Sequence, residues 1–382
     1  MTLQEPSWDQ AREFAFNFAE PIKTEEVPIE SALERVIAFD AKALVELPTY
    51  ETSAMDGYAV AGVGPWKIVG EIKAGAPYKK VLNPGEAVGI ATGAVVPEGA
   101  FGILRWEQAQ VDGEHLTGET SLRKDFRAAG EEAKLNETLI SAGTKLNPGA
   151  IGLLAASGYD TLKVFQRPKV VLLLLGDEIQ TSGLPKDGLV RDSLGPQLPG
   201  WLTRLGCEVI EIHYVEDQLD LTVAAIEKAS KVADILVTTG GTADGPRDFL
   251  QDAILKLNGK IHINKIAMRP GHPQMFGEVN GKPLIGLPGN PQSAIVALMT
   301  LGQPLIDAMF GRKLQELPLI SSDDQFDAQP GFTRLVLGNL EGRRFQMGKY
   351  LGSAMLRSLA QAEGFAVCTN PPTPLRWLGL PS

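Results

Sequence analysis

Three stretches of the chain end apolar runs with residues suited to handling phosphate. Gly176-Asp177-Glu178 follows KVVLLLL, Thr238-Thr239-Gly240-Gly241-Thr242 follows DILV, and Leu287-Pro288-Gly289-Asn290-Pro291, with Ser293 just beyond, precedes a long apolar-periodic segment. Gly240 and Gly241 permit close approach of backbone to a ligand, and the hydroxyls of Thr239 and Thr242 can donate to phosphate. Asp177, Glu178, Asp244 and Asp248 supply carboxylates. In the third stretch Pro291 suits the first helical position and Asn290 is a favoured N-cap, so a helix is expected to start abruptly there. An abrupt start leaves N–H groups aimed at an anion. Carboxylates beside an anion fit a hard cation such as Mg²⁺, which joins one or two of them to substrate phosphates. Taken singly, GDE reads as a solvated loop, GG as a tight turn, and Asp248 as a helix N-terminal carboxylate favourable to the dipole. Their coincidence at one sheet edge points to phosphate and metal chemistry.

The elements that must position these residues alternate. Strands are expected at 169–175, 208–215 and 234–239, with helices ending at 200–206 and covering 219–231 and 248–257. Such alternation implies parallel pairing with helices on both faces and a ligand beyond the carboxyl ends of the strands. Ser7 and Gln10 form a capping box for an opening helix carrying Trp8, Ala11, Phe14, Ala15 and Phe18 at helical spacing. Short β-type pieces follow from residue 49, and Pro148 starts another short helix, in a segment expected to pack back onto the opening one. The expected fold is α/β and multidomain: a three-layer α/β domain with a mainly parallel sheet over 167–313, a small β domain over 49–128 and a C-terminal small β domain over 314–382. A helical N-terminal segment, residues 1–48 with 129–166, completes it.

Length and composition narrow the function. At 382 residues the chain exceeds the ~250 to 300 at which single cores stop growing. The 46 acidic and 36 basic side chains give a net formal charge of −10, which argues against a nucleic-acid surface. No apolar run approaches the ~18 residues that span a bilayer, and no signal peptide opens the chain, so a soluble cytoplasmic protein is expected. Cys207 and Cys368 follow no metal or redox pattern and read as buried small hydrophobes. The four histidines, His115, His213, His262 and His272, show no i,i+3 or i,i+4 pairing, which disfavours a histidine-ligated metal. The signatures of serine hydrolases, P-loops and dinucleotide folds are missing.

Six motifs in order carry a family resemblance: Ser53-Ala54-Met55-Asp56-Gly57-Tyr58-Ala59, Ala91-Thr92-Gly93-Ala94 with Pro97, Gly176-Asp177-Glu178, Gly240-Gly241, Arg269-Pro270-Gly271-His272-Pro273, and Leu287-Pro288-Gly289-Asn290-Pro291. Over nearly the whole chain the sequence resembles the molybdopterin molybdotransferases, the MoeA family to which the gephyrin E domain belongs. The resemblance implies an elongated, four-part subunit that dimerises, with its cleft between the α/β domain of one subunit and the β domain of the other. It implies insertion of molybdenum from molybdate into adenylylated molybdopterin, with Mg²⁺-dependent release of AMP, and a separate molybdopterin adenylyltransferase as a further partner.

Carried over by motif, Asp56, Thr92, Glu178 and Asp248 stand where the family needs them for activity. Asp56, Glu178 and Asp248 are then the expected metal ligands. Ser53, Asp177, Gly240, Gly241, Thr242, Lys265, Arg269, Pro288, Gly289, Asn290, Pro291 and Ser293 are expected to hold the substrates, with Lys265 and Arg269 near the anion. Leu175 stands where the family has Ser or Thr, its GGVSxGxxD loop reads Gly240 to Asp248 with Ala243 in place of the serine, and its GED reads Gly130-Glu131-Glu132. The family's YDSN reads Arg191-Asp192-Ser193-Leu194 after Val190. Each hydroxyl lost removes a contact that is worth ~1.5 to 3 kcal/mol when charge-assisted. A carrier that binds molybdopterin without turning it over remains the second reading, and a preference for tungstate the third.

Overall fold

The structure, a computed structural model, describes residues 3–72, 75–243, 245–325, 328–370 and 374–381. The chain forms two compact units: Met1–Glu25 with Phe165–Ser382, and Glu26–Val164.

In the first unit a seven-stranded sheet runs in the order Leu3–Gln4, Lys260–Asn264, Met275–Val279, Lys282–Leu287, Ile235–Thr239, Lys169–Leu175, Glu208–Val215. The last four strands are mutually parallel, while Met275–Val279 runs antiparallel to both its neighbours. The apolar run Val170 to Leu175 is buried on both faces. Val171, Leu173 and Leu175 share a core with Ile226, Ala229, Leu250 and Ile254, from helices Leu219–Ser230 and Leu250–Lys256. Burial on both faces explains why the strand reads as continuous hydrophobicity rather than alternation. The register sets Leu174 beside Thr239, Thr239 beside Leu287, and Leu175 beside Val215. Four strands therefore end together, and their turns leave the sheet at one edge.

The last parallel strand leads through the PGNP turn into helix Pro291–Ala297, which passes through a π-helical stretch, Leu298–Gly302, into helix Gln303–Met309. Pro304 accounts for the irregularity, because it has no N–H for the carbonyl four residues before it and its ring crowds that turn.

The opening helix Trp8–Phe18 carries the expected capping box, but its place differs from expectation. It belongs to the α/β unit, not with residues 129–166, and packs on helix Gln303–Met309. The Trp8 indole N–H donates to the Thr300 hydroxyl at 2.9 Å, and Phe14 and Phe18 lie 5.6 and 4.9 Å from the Phe276 ring. Its aromatic face therefore lies against the Phe276 strand of the large sheet.

A C-terminal sheet, centred on Thr333–Glu341 and Gly364–Thr369, lies in the same unit and takes in the two-residue strand Met268–Arg269 alongside Thr333. In the second unit, residues 57–117 form a six-stranded sheet ordered Gly102–Arg105, Gly57–Val60, Glu86–Ile90, Trp66–Glu71, His115–Thr117, Gln110–Asp112. A separate core gathers Ile29, Ile37, Leu146, Leu154 and Val164 around helix Pro148–Ala156, whose N-cap Asn147 accepts from the Ala150 N–H at 2.8 Å.

Candidate functional site

The shared strand edge opens into a cavity of ≈ 640 Å³. Leu175, Gly176 and Glu178 contribute from the first turn, Thr239 to Ala243 with Arg247 and Asp248 from the second, and Pro288 to Pro291 from the third. The turns interlock through backbone. Gly240 N–H donates to the Leu287 carbonyl at 2.9 Å, and a Cβ on Gly240 would stand 2.7 Å from the Leu175 carbonyl oxygen. With φ at +79° as well, that position accepts only glycine without strain. Leu175, where a hydroxyl was expected by resemblance, is buried, and its Cδ1 lies 3.2 Å from where a Gly241 Cβ would be. The floor of the cavity is apolar there.

Four carboxylates line this cavity: Glu178, Asp192, Asp217 and Asp248. Asp217 was not anticipated, although Glu216 and Asp217 end strand Glu208–Val215 just as Asp177 and Glu178 end its neighbour. Its N–H donates to Asp177 Oδ1 at 2.9 Å, and Asp177 also pairs with Arg247 at 3.5 Å. Asp177 thus braces the rim rather than lining it. Burial pushes the Asp217 carboxyl up, opposed by a hydrogen bond from the Asp177 backbone and by Arg247 and helped by the charges of Asp177 and Glu178. Asp192 Oδ1 accepts the N–H groups of Leu194 and Gly195 at 2.9 and 3.0 Å, so it caps helix Leu194–Arg204, while the Tyr214 hydroxyl donates to its other oxygen at 2.8 Å. Burial and that bond push the Tyr214 phenol up to about 12. Asp248 Oδ2 accepts the Gly245 N–H at 2.7 Å and closes its own loop. Asp244 lies outside the described residues.

A second cavity of ≈ 340 Å³ shares Pro273, Pro288 and Asn290 with the first. Arg269, His272, Arg334, Ser293 and Ser353 line it, and none of the described residues lining it is acidic. The helix start offers this cavity less than its sequence suggests. Pro291 has no N–H, Gln292 donates to the Ser353 carbonyl and Ala294 to the Asn290 carbonyl, each at 2.9 Å. The Asn290 side chain makes no capping bond. An anion here meets side chains more than backbone.

Two expected ligand residues fall elsewhere. Lys265 lines a separate cavity with Gln4, Glu5 and Asn264, away from the PGNP turn. Its φ of +63° directs the chain out of strand Lys260–Asn264 before the Arg269 segment begins. Ser53 is fully buried, its hydroxyl donating to the Met55 carbonyl at 2.6 Å, so it shapes the turn ahead of Asp56 and does not face a ligand. Within the second unit the structure does bring Asp56 and Thr92 together. Thr92 N–H donates to Asp56 Oδ1 at 2.7 Å, and both residues are exposed.

The three expected metal ligands are divided between the two units. Among the described residues no group of three or more His, Cys, Asp or Glu side chains is placed to hold a metal ion. Glu178 and Asp248 line the first unit's larger cavity, whereas Asp56 belongs to the second unit. The donors are hard oxygens of the type Mg²⁺ prefers, but the protein alone does not make a cage.

Residues 6–158 match the family described as MoeA N-terminal region (domain I and II), and residues 171–308 match a probable molybdopterin binding domain. The molybdopterin molybdenumtransferase of Staphylococcus aureus (strain COL) is 31% identical over 331 residues, covering 81% of this chain and 78% of that protein. The chain belongs to the molybdopterin molybdenumtransferase family. A second relative of the same name, from Haemophilus influenzae, is 32% identical over 358 residues, covering 90% of this chain and 86% of that protein. The crystal structure of the MoeA molybdopterin biosynthesis protein from Pyrococcus horikosii superposes with a TM-score of 0.76 at 28% identity, covering 98% and 97% of the two chains. As a molybdopterin molybdenumtransferase family member the chain is a transferase of molybdenum cofactor biosynthesis, and the reading as a carrier without turnover is not favoured. Among the described residues, no helix is long and apolar enough to cross a membrane.

Proposed function

We propose that the chain inserts molybdenum from molybdate into adenylylated molybdopterin and releases AMP. The observation that carries this reading is the pair of adjoining cavities with opposite chemistry and a common wall at Pro273, Pro288 and Asn290. The smaller cavity, with Arg269, His272 and Ser293 and no acid among its described lining residues, suits an oxyanion. The larger one combines carboxylates, Arg247 and a Gly240-Gly241 turn that exposes backbone to a phosphorylated pterin.

In this reading Gly240, Gly241 and Thr242 seat the pyrophosphate, Pro288 to Pro291 separate the two substrates, and Glu178, Asp217 and Asp248 hold protons or orient water at the phosphoryl group. Bound Mg²⁺ would supply charge neutralisation of the phosphates, and Glu178 and Asp248 are the carboxylates that would hold it. The Asp56–Thr92 turn meets the cavities across a homodimer, as the family resemblance implies. The protein is then a cytoplasmic dimer supplied by a separate molybdopterin adenylyltransferase.

The test incubates purified protein with adenylylated molybdopterin, molybdate and Mg²⁺ and follows AMP and molybdenum-loaded cofactor together. Metal-dependent AMP release that disappears in Asp56→Ala is the expected result. Tight pterin binding with no AMP release in the unaltered protein would overturn the transferase reaction.

A further inference from the structure

We propose that Tyr214 is a positioning residue for Glu178: through Asp192 it pins the short ladder on which Glu178 stands at the rim of the larger cavity. This deepens the role given to Glu178 at the phosphoryl group and rests on it.

Glu178 opens a loop that leaves strand Lys169–Leu175 and comes back to start helix Leu194–Arg204. Outbound Ile179–Gln180 and returning Val190–Arg191 pair in parallel, with Ile179 beside Val190 and Gln180 beside Arg191. The Val190 N–H donates to the Glu178 carbonyl at 2.8 Å, and the Asp192 N–H to the Gln180 carbonyl at 2.9 Å. Glu178, Ile179, Val190, Arg191 and Asp192 all line the cavity. The chain is exposed from Thr181 to Arg191, so no buried side chain anchors the returning half. A two-stranded pairing of this size is marginal in water without such an anchor. The ladder therefore depends on what holds its far end.

That end is Asp192. One carboxylate oxygen takes the N–H groups of Leu194 and Gly195, which ties it to the helix, and the other takes the Tyr214 hydroxyl at 2.8 Å, which ties it to strand Glu208–Val215. The fit is close: a Cβ on Gly195 would overlap Asp192 Oδ2 and stand 2.6 Å from the Tyr214 hydroxyl oxygen. Tyr214 lies beside Leu174 in the sheet, and the next residue, Val215, accepts the Gly176 N–H at 3.2 Å. One strand thus holds the departing turn by its backbone and the returning chain by a side chain. Glu178 sits between these two points. A Cβ on Gly176 would stand 2.6 Å from Glu178 Oε2, so the carboxylate folds back over the turn, where a small shift of the ladder changes its aim. The phenol, pushed up to about 12, stays a donor through the neutral range.

Tyr214→Phe removes the hydroxyl alone from a ring that is 48% exposed, so the fold is expected to survive. Hydrogen exchange on the full chain is expected to quicken about 10-fold or more in peptides covering 188–193, with strand Ile235–Thr239 unchanged. AMP release from adenylylated molybdopterin is expected to show kcat lowered about 10-fold and KM within about 3-fold, because the Gly240 to Thr242 seat belongs to another turn. In a Glu178→Gln background the same Tyr214→Phe change is expected to cost less than about 2-fold, since the group it aims is already altered. A hydroxyl that served stability alone would not make its effect depend on Glu178. Unchanged exchange, unchanged kcat in the single variant, or an equal loss in both backgrounds overturns the proposal. If the unaltered protein releases no AMP, the transferase reading fails and takes the role of Tyr214 in that reaction with it.

Discussion

The backbone N–H of Thr92 donates to Asp56 Oδ1 at 2.7 Å, so one oxygen of this carboxylate ties the SAMDGYA turn to the ATGA turn. The same two turns are joined again where the Gly93 N–H donates to the Ser53 carbonyl at 2.8 Å. Asp56→Asn keeps an acceptor for Thr92 and deletes only the charge. The expected outcome is an unchanged melting temperature with turnover lowered about 100-fold, the range of a lost acid or base. Near-normal turnover in the Asn variant would show that the side chain merely holds the loop.

Asp125 supports the same turn from behind. Its backbone carbonyl accepts the Ala54 N–H at 2.8 Å, and its carboxylate takes Arg105 at 2.8 and 2.7 Å through two nitrogens. Hydrogen bonding to Arg105 holds the Asp125 carboxyl below the usual carboxylate range. A depressed pKa means that this pair stabilises the fold above the unfolded value, ~3.9, and that the contribution fades as pH falls through the folded one. Asp125→Asn is expected to melt lower than the unaltered protein at pH 7 and to converge with it in strong acid. Parallel melting curves at every pH would remove the pair as a source of stability.

Gly240 stands between two turns. Its φ of +79° and the 2.7 Å approach of a would-be Cβ to the Leu175 carbonyl both penalise a side chain. Gly240→Ala is expected to cost about 1 to 2 kcal/mol from conformation alone, with the contact adding to it. Chemical denaturation measures the loss. Gly188→Ala, at an exposed turn with nothing near its would-be Cβ, separates conformation from contact.

Leu175→Ser would install the hydroxyl that the resemblance places at the end of strand Lys169–Leu175. The side chain is only 6% exposed and belongs to the core beneath the cavity. A loss of about 3 kcal/mol is expected from the vacated volume and the buried hydroxyl. Gained AMP release at unchanged stability would mean that the leucine does not pack as described.

The α/β sheet was legible because its strands are apolar on both faces and its turns carry Gly and Pro. Burial of that kind writes itself into sequence as uninterrupted runs. The turn residues Glu178, Gly240, Gly241, Thr242, Asp248 and Pro288 to Pro291 were legible for the same reason, as polar ends of apolar strands. Asp217 carried the same signal and was passed over because the strand before it, EVIEIHYV, alternates at the sheet edge and draws less attention. Arg334 had no local signal, since its place depends on a two-residue strand pairing across a long sequence separation. Lys265 was misplaced because proximity in sequence to Arg269 says nothing about a left-handed residue that turns the chain between them. The opening helix showed which face is apolar, but not which of several apolar surfaces it covers.

Pro273, Pro288 and Asn290 are a party wall, since each faces both cavities. A ligand that shifts this wall from one side changes the free energy of occupancy on the other, and thermodynamic linkage makes the effect equal in both directions. Whatever factor a bound oxyanion contributes to pterin affinity, bound pterin contributes to oxyanion affinity. Three rigid or short side chains from two neighbouring turns would then let two substrates report on each other, with no moving domain and no relay of residues between distant sites.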